Sequence, residues 1–450
     1  MSNPYQVVII GAGPAGLSAA YQLAKRGIHP VVLEKADRVG GLARTEDYKG
    51  YRFDIGGHRF FTDDEQIQHI WNEMLRNDLL KVTRLSHIYY RNQFLKYPIE
   101  PFNVLSRLGF IESLLIVLSY LQVQVRPYSE EKTFEQWVSN RFGRRLYRTF
   151  FQTYTEKVWG IPCNELQAEW AAQRIQGLSL RTALTNLLFH NNTLKTLITE
   201  FFYPVLGPGM MWESFQQAVE NMGGEVHLNA KVVHIERQDR HIQSVTVRHG
   251  TGMAKFRGDQ FISTLPLREL MKMIDPSPPD RATQAASRLK YRAFVLVGLI
   301  VNRKDLFKDN WIYVHNEAVT VARIQNFKNW SAALVPDHNK TSLGMEYFCS
   351  TEDKVWRMSD SNLIRLAAGE LETLGLAFSR EVLDGVVFRE SHAYPVYDPG
   401  YRENLETIQD FLATIANLQT IGRSGMHRYN NMDHSMLMGM QAAESIRRPW

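Results

Sequence analysis

Cysteine is almost missing from this chain: two residues in 450, Cys163 and Cys349. Neither has metal-ligand spacing or a redox motif around it. No metal centre is therefore expected, and both read as reduced core thiols of a reducing, cytoplasmic compartment. No dense run of Lys or Arg accompanies the net charge of +5. That argues against nucleic acid as a partner and for a solvated basic surface or a basic cleft for a phosphorylated ligand. No leader is expected, because the first core strand already begins at Val7. Long apolar runs are lacking too. The most apolar stretch, Phe110 to Val125, contains Glu112, Ser113, Ser119, Gln122 and Gln124. It falls short of a membrane span and predicts a buried or amphipathic helix, with membrane contact the lesser reading. There is no internal repeat and no low-complexity segment. A composition of 44% hydrophobic and 22% charged residues excludes long disorder, and the length suggests two or three domains.

What is present is concentrated in residues 7–45, VVIIGAGPAGLSAAYQLAKRGIHPVVLEKADRVGGLART. A β-branched run enters a glycine turn, a helical pattern follows, and a second strand ends at Glu34. Gly11, Gly13 and Gly16 have GxGxxG spacing. The first permits a tight turn, the second lets the backbone approach a pyrophosphate, and the third lets helix and strand pack closely. The helix N-terminus, with Ala15 in its first turn, faces the negative charge. Glu34, followed by Lys35, is placed to accept hydrogen bonds from a ribose hydroxyl. The stretch therefore predicts a bound dinucleotide.

Beyond it, residues 50–62 read as a glycine-punctuated loop and 65–200 as mostly helical. Residues 201–212 read as a Pro/Gly loop in which Gly207-Pro208-Gly209 lies near the cofactor. Alternating strands then return to the dinucleotide domain, bringing Val233 to its adenine side. Residues 290–350 are strand-rich and predict an antiparallel sheet. Residues 418–445 read as strand, glycine turn and helix. The expected fold is α/β, with a Rossmann-like domain (1–64, 201–268 and 418–450) interleaved with a helical segment (65–200) and an antiparallel-sheet substrate domain (269–417).

Arg38-Val39-Gly40-Gly41, followed by Thr45, forms an RxGGxxxT motif that resembles the FAD-binding signature of the amine-oxidase and UDP-galactopyranose mutase clan. Within that clan the chain is most similar to the mutases. GGHRFFTDDEQI (56–67), LKYPI (95–99), FGRRLYRTFFQTYTEKVWGIPCNEL (142–166), VARIQNF (321–327), GMEYF (344–348), AYPVYD (393–398) and IGRSGMHRYNNMD (421–433) resemble mutase segments in the same order. Departures include Asn431 in place of Asp, Phe61 in place of a second His, His427 in place of Tyr, and a poor match over 168–200.

The resemblance implies FAD, held by Gly11, Gly13, Ala15, Gly16, Glu34, Lys35, Arg38, Gly41, Leu42, Gly57, His58, Val233, Gly422, Arg423 and Met432. It implies pyranose–furanose isomerisation of a nucleotide sugar, with N5 of the reduced flavin as nucleophile at the anomeric carbon. NAD(P)H or another reductant is implied as a transient partner, and an oligomer is compatible. Arg323 and Arg423 are implied as diphosphate ligands and catalytic groups, with His58 at the flavin and Arg292 as a third cation. Arginine suits this task because its planar fork pairs bidentately with phosphate oxygens. Tyr154, Trp159, Tyr347, Tyr429 and Asn431 are implied at the substrate. The alternative left open is an FAD-dependent oxidoreductase of the amine-oxidase or protoporphyrinogen-oxidase type.

Overall fold

The computed structural model describes residues 6–97, 109–174 and 199–447. The chain opens with β1 (Val7–Ile10), α1 (Pro14–Lys25) and β2 (Pro30–Leu33), then a hairpin of β3 (Thr45–Tyr48) and β4 (Tyr51–Asp54) and helix α2 (Glu65–Leu75). Strands β5 (Leu79–Thr83), β6 (Ser86–Tyr90) and β7 (Gln93–Lys96) follow. Helices α3 (Phe110–Val125) and α4 (Phe134–Phe142) precede a π-helical run, Tyr147–Gln152, that passes into α5 (Thr153–Trp159). Strand β8 (Glu200–Pro204), α6 (Gly209–Asn221) and β9 (Glu225–His227) lead to a meander, β10 (Lys231–Gln238), β11 (His241–His249) and β12 (Gly252–Arg257). Next come β13 (Gln260–Ser263), α7 (Leu267–Met273), β14 (Ile274–Asp275) and α8 (Asp280–Arg288). The last part holds β15 (Tyr291–Val301), β16 (Trp311–Val314), β17 (Arg323–Asn326), β18 (Thr341–Cys349), α9 (Asp360–Thr373) and β19 (Val382–Pro395). It ends with α10 (Tyr401–Leu412), β20 (Leu418–Thr420) and α11 (Met432–Ser445).

A five-stranded parallel sheet, ordered β20-β13-β1-β2-β9, gathers strands from both ends and the middle of the chain. Its central strand, Val7–Ile10, is buried throughout, as a strand covered on both faces must be. Helices α1 and α11 pack on one face. Gly439 allows this approach, since a Cβ there would overlap the Ala15 carbonyl. Trp71 of α2 donates its indole N–H to the Met436 sulfur (3.1 Å), so the methionines of α11 serve packing.

The second sheet has seven strands, ordered β19-β15-β18-β17-β16-β6-β7. It is antiparallel except for the β16–β6 pair, which is parallel. Among the described residues, 65–200 is mostly helical, with strands added to that expectation. They carry β5 to β7 and the start of β8, and β6–β7 complete the second sheet. Arg91 and Asn92 both have positive φ (48° and 60°), the two-residue turn that matches strand twist. Residues 201–212 are not one loop. β8 pairs with β5, and α6 begins at Gly209. In the strand-rich region only Arg323–Asn326 of VTVARIQNF is extended in the sheet. The Tyr97-Pro98 turn and most of 168–200 lie outside the described residues.

Candidate functional site

The glycine turn has the predicted geometry. Gly11 has φ of 101°, and a Cβ there would overlap Thr264 Oγ1. A Cβ at Gly16 would overlap the Gly11 carbonyl. Gly13 and Gly41 face each other, so that a Cβ on Gly41 would lie 3.2 Å from the Gly13 Cα. A side chain at Gly41 would press against the Gly13 backbone. α1 starts beside it with no side-chain cap and no acidic residue in its first turn, leaving its amides available to an anion.

The buried Glu34 carboxylate accepts the N–H groups of Ala12 (2.7 Å) and Ala36 (2.9 Å). Those two bonds use part of its acceptor capacity and leave lone pairs for ribose hydroxyls. The Ala230 N–H bonds the Glu34 carbonyl (2.7 Å) and so brings the start of β10, with half-buried Val233, to this end of the site. Lys35 is exposed and Leu42 half-buried. Arg38 differs from expectation. Its guanidinium is held by Asp37 (3.2 Å) and Glu46 (3.0 Å). The sequence missed Arg44 in the same loop, which binds the Gly41 carbonyl (2.8 Å) and Glu46 (2.6 Å).

At the same N-terminal end of α1, Gly422 has φ of 77°, and a Cβ there would lie 3.0 Å from the Ala15 Cβ. Met432 is buried at the start of α11. Asn431 is the exposed N-cap residue of that helix, its N–H donating to His434 Nδ1 (3.3 Å). It therefore serves the helix end. Gly57 lies against the Gln325 amide, with room for a Cβ only 3.2 Å from its nitrogen. Tight backbone contacts at Gly13, Gly41, Gly57 and Gly422 thus cluster with Glu34 where the sequence expects the dinucleotide.

The substrate end is built on β17, β18 and the loop before α11. Arg323 donates through Nε (2.7 Å) and Nη2 (2.6 Å) to Glu346, which is fully buried. Gln325 holds the other Glu346 oxygen. Burial works against the Arg323 charge, but Glu346 outweighs it and holds the guanidinium charged. Among the described residues, Arg423 has no carboxylate partner. It donates to the carbonyls of Asn430 (2.7 and 3.1 Å) and Ala393 (3.1 Å), with its guanidinium carbon 5.1 Å from the Tyr394 ring centre and 4.9 Å from that of Tyr429. The two rings stack 5.7 Å apart.

Tyr154 stacks on His315 at 5.0 Å and meets Tyr313 edge-on. Burial, opposed by Arg323, raises its hydroxyl pKa. His58 is pushed down to about 4, first by enclosure and then by Arg423 and Arg323. It is neutral at pH 7. Its Nε2–H donates to the Ile55 carbonyl (2.9 Å), leaving Nδ1 as the acceptor.

Tyr347 and Arg292, expected at the substrate, lie elsewhere, while Trp159 stands behind the site. Tyr347 is on the opposite sheet face from Glu346 and donates to Glu370 (2.9 Å) against α9. Arg292 spends its guanidinium on the carbonyls of Val158 (3.0 Å), Lys157 (3.3 Å) and Phe348 (2.8 Å) and on Ser350 Oγ (3.0 Å). It caps α5 and lines a different cavity of about 580 Å³. Trp159 is fully buried behind the tyrosines, 6.0 Å from the Tyr397 ring. Glu346, Gln325 and Tyr394 were missed. The register that sets Arg323 opposite Glu346 was the available signal, because directly paired residues share a face.

The flavin containing amine oxidoreductase family model matches residues 14–446. An L-amino acid oxidase, bordonein-L, from Crotalus durissus terrificus is 28% identical over 323 residues, 67% of this chain and 59% of that protein. A 15-cis-phytoene desaturase from Glycine max is 26% identical over 61% of this chain and 49% of that protein. The chain thus spans between half and three fifths of the length of these curated relatives. A crystal structure of reduced UDP-galactopyranose mutase superposes with a TM-score of 0.85 over 98% of this chain and 95% of that one, at 24% identity. A putative protoporphyrinogen oxidase from Exiguobacterium superposes with a TM-score of 0.76 over 99% of both chains, at 16% identity. No described helix is long and apolar enough to cross a membrane. With a shared fold and a family model that spans almost its whole length, the chain belongs to the flavin-containing amine oxidoreductases.

Proposed function

We propose that this protein is a flavin-dependent nucleotide-sugar mutase acting with reduced FAD. The reading rests on Arg423, a cation held by carbonyls and two tyrosine rings, with no carboxylate partner among the described residues. Arg323 keeps its own charge through Glu346, so the site carries one net positive charge from this trio and favours an anion. A nucleotide diphosphate supplies that anion. When bound, the reduced flavin supplies a nucleophilic nitrogen for the anomeric carbon.

The chain's own work is electrostatic. Arg323 and Arg423 bind the diphosphate and stabilise the charge that grows on it as the glycosidic bond breaks. The hydroxyl of Tyr154, kept protonated by burial, donates to a departing oxygen. Trp159 and Tyr397 back the site and exclude water. Neutral His58 adds no third positive charge beside the cofactor.

One specific finding favours a second reading. The 28% identity to an L-amino acid oxidase supports oxidation of an amino acid, whose carboxylate would also pair with Arg423. The test is a panel. Dithionite-reduced protein is incubated with UDP-sugars and the products are separated chromatographically. Oxidised protein is mixed anaerobically with L-amino acids. A furanose product supports the mutase. Bleaching of the oxidised flavin by an amino acid, with no sugar product, supports the oxidase.

A further inference from the structure

Helix α3 is inside out. Its inward side is polar and tightly fitted. Glu112 holds Arg145 through both oxygens (2.7 Å each), and Ser119 Oγ accepts the Arg145 backbone N–H (3.0 Å). Gly143 lies beneath the helix so closely that a Cβ would come within 2.9 Å of the Tyr120 backbone. Of its apolar residues only Ile116 and Val123 are buried. The rest point outward. Phe110 is 82% exposed, Ile111 75%, Leu114 47%, Leu118 52%, Leu121 53% and Val125 80%. Their spacing of three and four residues makes one continuous stripe along four turns. A surface helix ordinarily turns such a stripe to the core, and a stripe of this size left outside marks an interaction surface. The sequence reading of a buried or ordinarily amphipathic helix is corrected here.

The charge around the stripe says what covers it. Arg126 follows the helix directly, and Arg144 and Arg148 stand on the segment packed beneath it. All three are exposed and have no carboxylate partner in the described residues. Arg91 acts on Glu112 from the other end. The nearby acids are engaged: Glu112 by Arg145, Glu131 by Arg141 and Glu130 by Lys132. An apolar stripe with a cationic rim complements an anionic lipid interface. A second copy of the chain would bring the same arginines against each other.

We propose that α3 seats this protein on an anionic phospholipid surface, lying in the interface plane. The seat is one layer from the substrate site, since Ile116 packs in the cluster that includes Phe150 and Tyr313, and Tyr313 meets Tyr154. The test is flotation of the purified flavoprotein with vesicles of phosphatidylcholine alone or mixed with phosphatidylglycerol. Expected is co-flotation with the phosphatidylglycerol vesicles, weakened by high salt, and its loss in a Leu114→Glu, Leu118→Glu variant that keeps its flavin spectrum. An Arg126→Glu, Arg144→Glu variant leaves the stripe intact and should bind the anionic vesicles about tenfold more weakly or worse. The proposal is overturned if wild-type protein stays at the bottom with anionic vesicles, or if both variants float like wild type. It is also overturned if light scattering shows a dimer that the leucine variant converts to monomer, because the stripe is then covered by a second copy.

Discussion

Arg323 and Arg423 both press on His58, yet among the described residues only Arg323 has a carboxylate partner. That asymmetry gives a sharp expectation. Arg423→Ala should lower turnover by about 10² to 10³ while the protein still binds flavin, the range seen when one preorganised charge-stabilising donor is removed. Steady-state rates and the flavin spectrum check both halves. Tyr347→Phe should behave in the opposite way. Its hydroxyl serves buried Glu370, which also accepts the N–H groups of Thr320 and Val321 (3.0 Å from the latter). Turnover should stay near wild type, and unfolding free energy should fall by about 1 kcal/mol, measured by urea titration. The two arginines were legible because their motifs are distinctive. Tyr347 was misassigned because a motif match does not specify which face of a strand a residue occupies. Glu346, its neighbour, holds the position that matters.

At the scale of elements, the contact between Gly13 and Gly41 joins two loops that meet only through folding. Gly41 has φ of 55° and little room for a Cβ. Gly41→Val should yield protein with native far-UV circular dichroism and strongly reduced flavin content, read from the absorbance ratio of flavin to protein. A variant with full flavin content would show that this contact does not shape the cofactor site. The opening β-α-β unit was legible in full, because each glycine had a local physical reason to be there. The hairpin of β6 and β7 was not read, although Arg91-Asn92 is a turn signal. Its partner strand, β16, lies more than two hundred residues away, and no local pattern shows such pairing. The π-helical run before Tyr154 was equally hidden, since a one-residue widening of a helix leaves the apolar periodicity nearly unchanged.

For the whole molecule, the interleaving of three chain segments in one parallel sheet ties cofactor site and substrate site into a single stability problem. Burial, the leading cause in each case, pushes His58 and His427 to about 4 and His315 to about 3. Folded, these rings stay neutral, and unfolded they take up protons below about 6.5. Their contribution is therefore present above that value and is lost as pH falls toward 4. Asp54 has the opposite sign. Burial raises it to about 7, so the folded state holds a proton that the unfolded chain lacks between there and about 4. The histidines outnumber it. Stability should fall by roughly 2 kcal/mol per pH unit near pH 5.5, from a net uptake of nearly two protons on unfolding. Urea midpoints between pH 7 and 5 check this; a flat or rising midpoint would contradict it.

We propose that the anion site around Arg423 serves a nucleotide sugar and a reduced cofactor. The most direct measurement compares one preparation before and after dithionite reduction, supplied with UDP-galactopyranose and other UDP-sugars, while product and flavin absorbance are followed together. A nucleotide-sugar mutase gives a furanose product only after reduction, many turnovers per flavin, and no net change in flavin redox state. No sugar product in either state, with stoichiometric bleaching of the oxidised flavin by an L-amino acid, would contradict the proposal.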